Sequence, residues 1–275
     1  MNTYDELYEK YSYLKEWSIL SGYRGSISHG TYVPSTDPNS IDDKDLMVIC
    51  VPPIDYYFGL KEFGSRGTQE IKYKEWDVVV YELKKFIRML KQGNPNVLGM
   101  LWLNQNHYTY ISRAGQLLLD NRNLFVGKHV YDSFCGYARG QLKRMIHFKF
   151  EGYMGEKRKK LVNKLGFDCR NSSHLIRLLR SGIEFLNTGY LQVYRPDALE
   201  LIDIKLGKWS LEKVQKEADN LFKEAKKAYD NSSLPVEPDK EAINNLCIDI
   251  LFMGLIDRRL DGYDSSMSKM SYIDV

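Results

Sequence analysis

The chain has 275 residues, of which 43% are hydrophobic and 27% are charged, a composition that suits a folded protein and excludes an intrinsically disordered one. Its formal net charge of +3 excludes a uniformly basic polyanion-binding protein, so any attraction to nucleic acid must come from local patches. The four cysteines lie far apart without a C-x-x-C pair, which argues against a zinc knuckle or a disulfide framework and favours a reducing compartment.

No apolar run reaches the roughly 18 residues that a membrane-spanning helix needs. The N-terminal segment carries Asp5, Glu6 and Glu9 among tyrosines, which is not the pattern of a signal peptide. We therefore expect a cytoplasmic protein that makes no membrane contact.

The first part of the chain mixes helical and strand-like patterns. The spacing of apolar residues predicts a helix over residues 4–17, and prolines predict a turn-rich loop over 31–43. Two apolar, β-prone runs predict buried strands, Leu46–Val51 and Trp76–Tyr81, with an alternating segment at 69–73. Helices are expected over 82–91 and, after a break at Gly93–Asn96, over 97–103.

The later part of the chain is predicted to be mainly helical. A 3.6-residue period predicts four long helices, at residues 127–149, 172–187, 210–229 and 239–260. Ser210 suits the N-cap of the third, and a short hairpin is expected within residues 191–206. The resulting fold class is α+β: a small module with a mixed sheet over residues 1–110, followed by a mainly helical module over 111–275. A crevice between two such units is a common ligand site.

Three aspartates stand directly before the first buried strand. Asp43 and Asp45 are two residues apart, so in a strand their carboxylates point to the same face, whereas Asp42 has the opposite parity. Adjacent carboxylates repel, and Mg²⁺ bound between them would remove that repulsion. Asp77 interrupts the second apolar run, where a carboxylate is costly to bury without a cation, so it is the natural third ligand.

The acidic cluster also has a purely structural interpretation, since acids at the start of a strand often form a solvated turn. A calcium loop of the EF-hand type is less suitable, because its glycine and terminal glutamate are missing. The metal-site interpretation gains weight from the combination of Gly25-Ser26, Asp43-Lys44-Asp45 and Asp77 in that order.

That ordered set resembles the signature of the nucleotidyltransferase superfamily that includes DNA polymerase β: a Gly-Ser turn, D-x-D and a third acid. Two segments are similar to a narrower branch of predicted nucleotidyltransferases linked to RNA repair in bacteria and phages: DVVVYELKKFIRMLKQGNPNVL (77–98) and GFDCRNSSHLIRLLRSGIEFL (166–186). With YARGQLKR (137–144) and LPVEPD (234–239), the likeness extends over most of the chain.

The resemblance implies transfer of a nucleoside monophosphate from an NTP, such as ATP, to an acceptor hydroxyl with release of pyrophosphate. It assigns catalysis to residues 1–110, with two Mg²⁺ or Mn²⁺ ions bound by Asp43, Asp45 and Asp77. Asp77 would also help to deprotonate the acceptor. Gly25 and Ser26 would hold the β- and γ-phosphates, and residues 111–275 would contribute to nucleotide or substrate binding.

A basic stretch lies in the helical part, where Arg139 to Arg180 contains twelve Lys or Arg and three acidic residues. We expect four of its residues to bind the triphosphate or RNA: Arg139, Lys143, His174 and Arg177. His174 and Arg177 are three apart and share a helix face, although His174 also fits a buried histidine bonded to the backbone. The basic stretch favours an RNA end as acceptor, while a protein or a small molecule stays open.

Two other functions fit parts of the pattern. A glycosyltransferase also uses D-x-D to hold Mn²⁺ and a nucleotide sugar, but repeated βαβ units are not apparent in this sequence. A nucleotide- or RNA-binding protein on a catalytically retired transferase fold is the second, and it would be favoured by loss of one of the three acids, all of which are present.

Overall fold

A five-stranded mixed sheet organises the first half of the chain in the computed structural model, which describes residues 3–34, 36–37, 42–146 and 156–267. The strands are β1 (Ser18–Arg24), β2 (Lys44–Cys50), β3 (Thr68–Tyr73), β4 (Trp76–Glu82) and β5 (Tyr108–Ile111). Their order across the sheet is β3-β4-β2-β1-β5. The pair β2–β4 is parallel and the other three pairs are antiparallel.

The central strand β2 is buried on both faces, as its uninterrupted apolar sequence predicts. Met47 and Ile49 belong to a large core that continues into the helical part of the chain. Leu46 and Val48 belong to a smaller core on the opposite face. This alternation decides which face of the sheet each neighbouring polar residue occupies, because strand side chains alternate.

Helices account for most of the remaining described residues. They are α1 (Thr3–Lys10), α2 (Ser12–Trp17), α3 (Gly25–Ser28), α4 (Asp55–Phe58), α5 (Leu83–Lys91), α6 (Pro95–Leu98), α7 (Arg113–Asp120), α8 (Val130–Ile146), α9 (Glu156–Leu165), α10 (Cys169–Thr188), α11 (Ala198–Lys205), α12 (Leu211–Asn231) and α13 (Lys240–Met267). In this part of the chain α10 is central: it packs against α8, α11 and α12. Among the described residues, no helix is long and apolar enough to cross a membrane.

Local sequence signals explain where the helices begin. Ser210 accepts a hydrogen bond from Lys213 N at 3.2 Å, the N-cap that the sequence predicted for α12. Asp168 caps α10 in the same way through Arg170 N and Asn171 N. Its carboxylate also receives two hydrogen bonds from Arg158, at 3.3 and 2.6 Å, so the start of α10 is held from α9.

The α+β prediction is confirmed, and several boundaries differ from those predicted. The first helix is divided in two at Tyr11, and strand β5 was not predicted. The hairpin expected within 191–206 is wrong, because that segment leads into α11 instead. Residues 35, 38–41 and 147–149 of the predicted loop and helix lie outside the described residues. The division at residues 110 and 111 stays a prediction.

Candidate active site

A cleft of about 350 Å³ opens between one end of the sheet and helices α10 and α11. This volume lies within the range of small-molecule sites. The sheet contributes the end of β1 and the start of β2, because these antiparallel neighbours place Arg24 opposite Asp45. Among the residues that line the cleft are Gly25, Ser26, Asp42, Asp45, Arg170, His174, Arg177 and Lys205.

The parallel register between β2 and β4 brings two of the predicted carboxylates together. Asp45 is the direct partner of Asp77, and the next residues on the same face, Met47 and Val79, are also partners. Met47 and Val79 both pack into the large core, so Asp45 and Asp77 point to the face that carries the helical part. Asp43 lies two residues before Asp45, just outside the strand.

Each of the three predicted carboxylates faces a basic side chain at a long distance. The N–O distance is 3.4 Å for Arg24–Asp45, 3.5 Å for Arg170–Asp43 and 3.7 Å for Lys72–Asp77. The other ion pairs of the described residues are all 3.0 Å or shorter at their closest atoms. Tight charge-assisted hydrogen bonds measure about 2.7–2.9 Å, so these three acids are the loosely paired ones.

Carboxylate oxygens are suitable ligands for a hard divalent cation, but the three side chains do not converge on one point. No group of three or more His, Cys, Asp or Glu side chains in the described part of the chain is placed to hold a metal ion. The carboxylates instead turn towards Arg170 and Lys72. Burial raises the pKa of Asp45, and the charge of Asp43 raises it further, while Arg24 and Arg170 oppose the shift. A bound cation would relieve that cost.

The Gly25-Ser26 turn supplies a polar wall opposite Asp45. Gly25 has a φ of +64°, which disfavours other residues, and a Cβ there would collide with the Asp45 carboxylate. The Ser26 hydroxyl oxygen is buried and has no hydrogen-bond partner among the described residues. Buried polar atoms are usually paired, so this hydroxyl is suited to a ligand that enters the cleft.

The opposite wall carries cationic and neutral nitrogen groups from α10. Arg177 donates to His174 Nδ1 at 3.2 Å, so that nitrogen acts as an acceptor and the imidazole is neutral. Burial, followed by the charge of Arg177, holds the pKa of His174 well below its usual range. Burial and the nearby Arg195 lower the pKa of Arg177 to about 10. A guanidinium that is half-buried without a carboxylate partner in the described residues favours an anionic ligand.

Two of the predicted binding residues lie elsewhere. Arg139 and Lys143 are exposed on α8, and neither lines the cleft. Arg139 instead places its guanidinium 5.5 Å from the centre of the Phe222 ring. No residue of α8 lines the cleft, so the expected contact of Arg139 and Lys143 with the triphosphate is not supported by this geometry.

Other cleft residues were missed by the sequence analysis. Arg24 directly precedes the Gly25-Ser26 turn, and Arg170 lies within the segment 166–186 that resembles the family. Their positions were the signal that could have identified them. Lys205 gave no sequence signal at all: it lies far from Asp42 in the chain and reaches that carboxylate at 2.6 Å. The expected opposite orientation of Asp42 therefore did not remove it from the cleft, which it lines together with Asp45.

Comparison with known proteins finds a match to a protein family. A protein-family model described as "RNA repair pathway DNA polymerase beta family" (RlaP) matches residues 19–249. That range contains the whole sheet except Ser18, together with every cleft residue named above. A search among curated proteins finds no match to the chain.

Proposed function

The chain belongs to the RNA repair pathway DNA polymerase beta family, and on that premise we propose that it is a metal-dependent nucleotidyltransferase. It transfers a nucleoside monophosphate from an NTP to an acceptor hydroxyl. The acceptor oxygen forms a bond to the α-phosphorus, the bond from that phosphorus to the β-phosphate bridge breaks, and pyrophosphate leaves with the bonding electrons. The hydroxyl proton passes to a carboxylate of the cleft.

The observation that carries this proposal is the loose pairing of Asp43, Asp45 and Asp77. Their ion pairs measure 3.4–3.7 Å, and their partners are long, basic side chains that can turn away. We infer that Arg24, Arg170 and Lys72 compensate the carboxylates in the free protein, and that Asp43, Asp45 and Asp77 would hold Mg²⁺ or Mn²⁺. Divalent cations, when bound, neutralise phosphate charge and lower the pKa of a coordinated hydroxyl.

The residues of the chain position the reactants around that centre. Ser26 offers its unpaired hydroxyl to a phosphate oxygen, and Gly25 permits the close approach that a Cβ would prevent. Arg177 contributes positive charge from the opposite wall, and neutral His174 orients its guanidinium. Asp77, whose side chain is 39% exposed and whose strand position is opposite Asp45, accepts the proton of the acceptor. Positioning and charge compensation of this kind supply most of the rate in phosphoryl transfer.

We propose an RNA end as the acceptor, because the family description refers to RNA repair and because the chain carries a basic stretch. A protein hydroxyl or a small molecule is an alternative that the same assay separates. We further propose that the enzyme works in the cytoplasm, as its reduced cysteines suit.

The test measures pyrophosphate release with each NTP and Mg²⁺ or Mn²⁺, using total RNA or protein extract as acceptor. We expect release that depends on metal and RNA, loss of release in Asp77→Asn, and full release in Asp230→Asn. Asp230 is a matched control, since it is an exposed acid paired with Lys226 far from the cleft.

Three results contradict parts of the proposal. Full activity in Asp77→Asn removes the metal-site assignment. NTP binding without pyrophosphate release indicates a retired binding protein. Turnover of UDP-sugars in place of NTPs indicates a glycosyltransferase.

A further inference from the structure

A buried ion pair connects the helical part of the chain to the segment between the two motifs. Lys205 Nζ, at the end of α11, lies 2.6 Å from Asp42 Oδ2. The two side chains are only 5% and 1% exposed. Both residues line the cleft, although the sequence assigned no role to Lys205 and placed Asp42 on the far face.

The same lysine also holds the other end of that segment. Lys205 donates to the carbonyl oxygen of Thr31, and Asp42 Oδ2 accepts from Val33 N at 2.8 Å. Thr31 N in turn donates to the Ser26 carbonyl oxygen at 2.9 Å. A chain of hydrogen bonds therefore runs from Ser26 through Thr31 and Lys205 to Asp42, which directly precedes Asp43.

A contribution to stability does not by itself explain why Asp42 and Lys205 form a buried ion pair. Removing two charges from water is costly, and apolar residues of similar volume often replace buried ion pairs without loss of stability. The best-attested benefit of such a pair is that its directional bonds specify one arrangement among several. At this point the arrangement specified is the spacing between the Gly25-Ser26 turn and the aspartates.

We propose that Lys205 is a positioning residue that sets Asp43 and Asp45 in place for the metal ions. The inference rests on the proposed function, because it gives those aspartates the role of ligands. It assigns Lys205 no contact with the substrate, so its loss changes metal binding and kcat rather than the KM for NTP.

The decisive variant is the double substitution Asp42→Asn with Lys205→Met. It leaves the net charge of the cleft unchanged, and the amide introduced by Asp42→Asn retains an oxygen that can accept from Val33 N. Lys208→Met is the matched control, because Lys208 lies three residues away, is 64% exposed and pairs with Asp203. Lys205→Arg is a second control, because it keeps a cation at the same position.

Each variant is measured for melting temperature, for the Kd of Mn²⁺ without nucleotide by electron paramagnetic resonance, and for kcat and KM of pyrophosphate release. We expect the double variant to melt close to wild type, to bind Mn²⁺ at least about 10-fold more weakly and to lose kcat by a similar factor, as for other groups that orient metal ligands. The KM for NTP changes less than about 3-fold, Lys208→Met resembles wild type, and Lys205→Arg recovers Mn²⁺ affinity.

Several outcomes overturn the inference. Unchanged Mn²⁺ affinity and kcat in the double variant make the pair purely structural. A raised KM for NTP with normal Mn²⁺ affinity makes Lys205 a triphosphate contact.

If the double variant does not fold, Asp42→Asn alone carries the same measurement, because it removes the charge and keeps an acceptor. Wild-type protein that binds Mn²⁺ without releasing pyrophosphate contradicts the proposed function alone, and the Mn²⁺ affinities of the variants still decide the role of Lys205. Wild-type protein that binds no Mn²⁺ contradicts both.

Discussion

Two regions of the protein use the same kinds of charged residue in opposite ways. In the helical part, Arg180 binds three carboxylates at 2.6–3.0 Å, from Asp197, Glu200 and Glu217. Arg195, which is only 2% exposed, binds Glu184 at 2.5 Å and Asp197 at 2.8 Å. At the end of the sheet that faces the cleft, in contrast, Asp43, Asp45 and Asp77 are each 3.4–3.7 Å from a basic group.

This difference separates charges that stabilise the fold from charges that await a ligand. In the helical network each arginine shares short hydrogen bonds with more than one acid, so its charge is compensated within the protein. At the end of the sheet, burial raises the pKa of Asp45, because Arg24 and Arg170 compensate its negative charge only in part. Residues of the first kind should affect stability when they are changed, and residues of the second kind should affect activity.

The strongest test of that distinction is Asp45→Asn. We expect pyrophosphate release to fall by at least about 10³-fold, because one of the groups that compensates transition-state charge is lost. The melting temperature should stay the same or rise, since a buried carboxylate with a raised pKa is replaced by a neutral amide of similar size. Activity and thermal melting are measured on the same sample, and a large fall in melting temperature would place Asp45 among the structural charges.

Arg195→Met is the converse experiment, on the helical network. Removal of the buried guanidinium leaves Glu184 without its cation and Asp197 with Arg180 alone, and breaking a buried ion pair in this way typically costs about 3–5 kcal/mol. Urea denaturation measures the loss in the free energy of unfolding. The control is Lys226→Met, which breaks an exposed pair with Asp230 on α12 and should change little. Equal effects of the two substitutions would contradict the structural role of the network.

The sequence was sufficient for features that depend on local patterns. The strand β2, the cap of α12 and the shared face of His174 and Arg177 follow from an apolar run, a helix-start residue and 3.6-residue spacing. The common face of Asp45 and Asp77 needed one further fact, the register of β2 against β4. No local pattern determines the partner strand or its register, so the sequence could name Asp77 as a candidate but could not place it beside Asp45.

The features that the sequence did not reveal depend on contacts between distant segments. The hairpin expected within 191–206 was wrong, because Arg195 is held by Glu184 and Asp197 rather than by strand pairing. Lys205 could not be linked to Asp42, since 163 positions separate them. Arg139 and Lys143 have the positive charge that a triphosphate requires, but neither lines the cleft.

Arg177→Met tests whether the guanidinium that donates to His174 in the cleft also binds the triphosphate. Hydrogen bonds to charged groups contribute about 1.5–3 kcal/mol, so we expect the KM for NTP to rise by about 10- to 100-fold. The melting temperature should change little, because Arg177 has no carboxylate partner among the described residues that its loss would strand. Arg139→Met provides the matched control, and a KM increase as large as that of Arg177→Met would restore Arg139 to the nucleotide site.

The pH dependence of stability provides the smallest and most selective test of the two regions. Burial holds the pKa values of His29 and His174 well below the ordinary value of 6.5, so both are neutral in the folded protein. Below about pH 6.5 these histidines bind protons in the unfolded chain but not in the folded protein, so the free energy of unfolding falls as the pH drops. The maximum slope is about 1.4 kcal/mol per pH unit for each histidine.

The network of the helical part acts in a different pH window. Arg195 and Arg180 hold the pKa of Asp197 below its ordinary value of 3.8 against the effect of burial, so the stability that this acid contributes is present above pH 3.8 and is lost only below it. Urea denaturation between pH 7.5 and 5 therefore reports the histidines whose pKa burial lowers, which include His107 and His129 as well as the two that line the cleft, and not the network. His174→Gln, which keeps an acceptor for Arg177, should reduce the slope in that range. An unchanged slope would mean that His174 binds the same number of protons in the folded and unfolded protein, which would contradict its assignment as a neutral acceptor for Arg177.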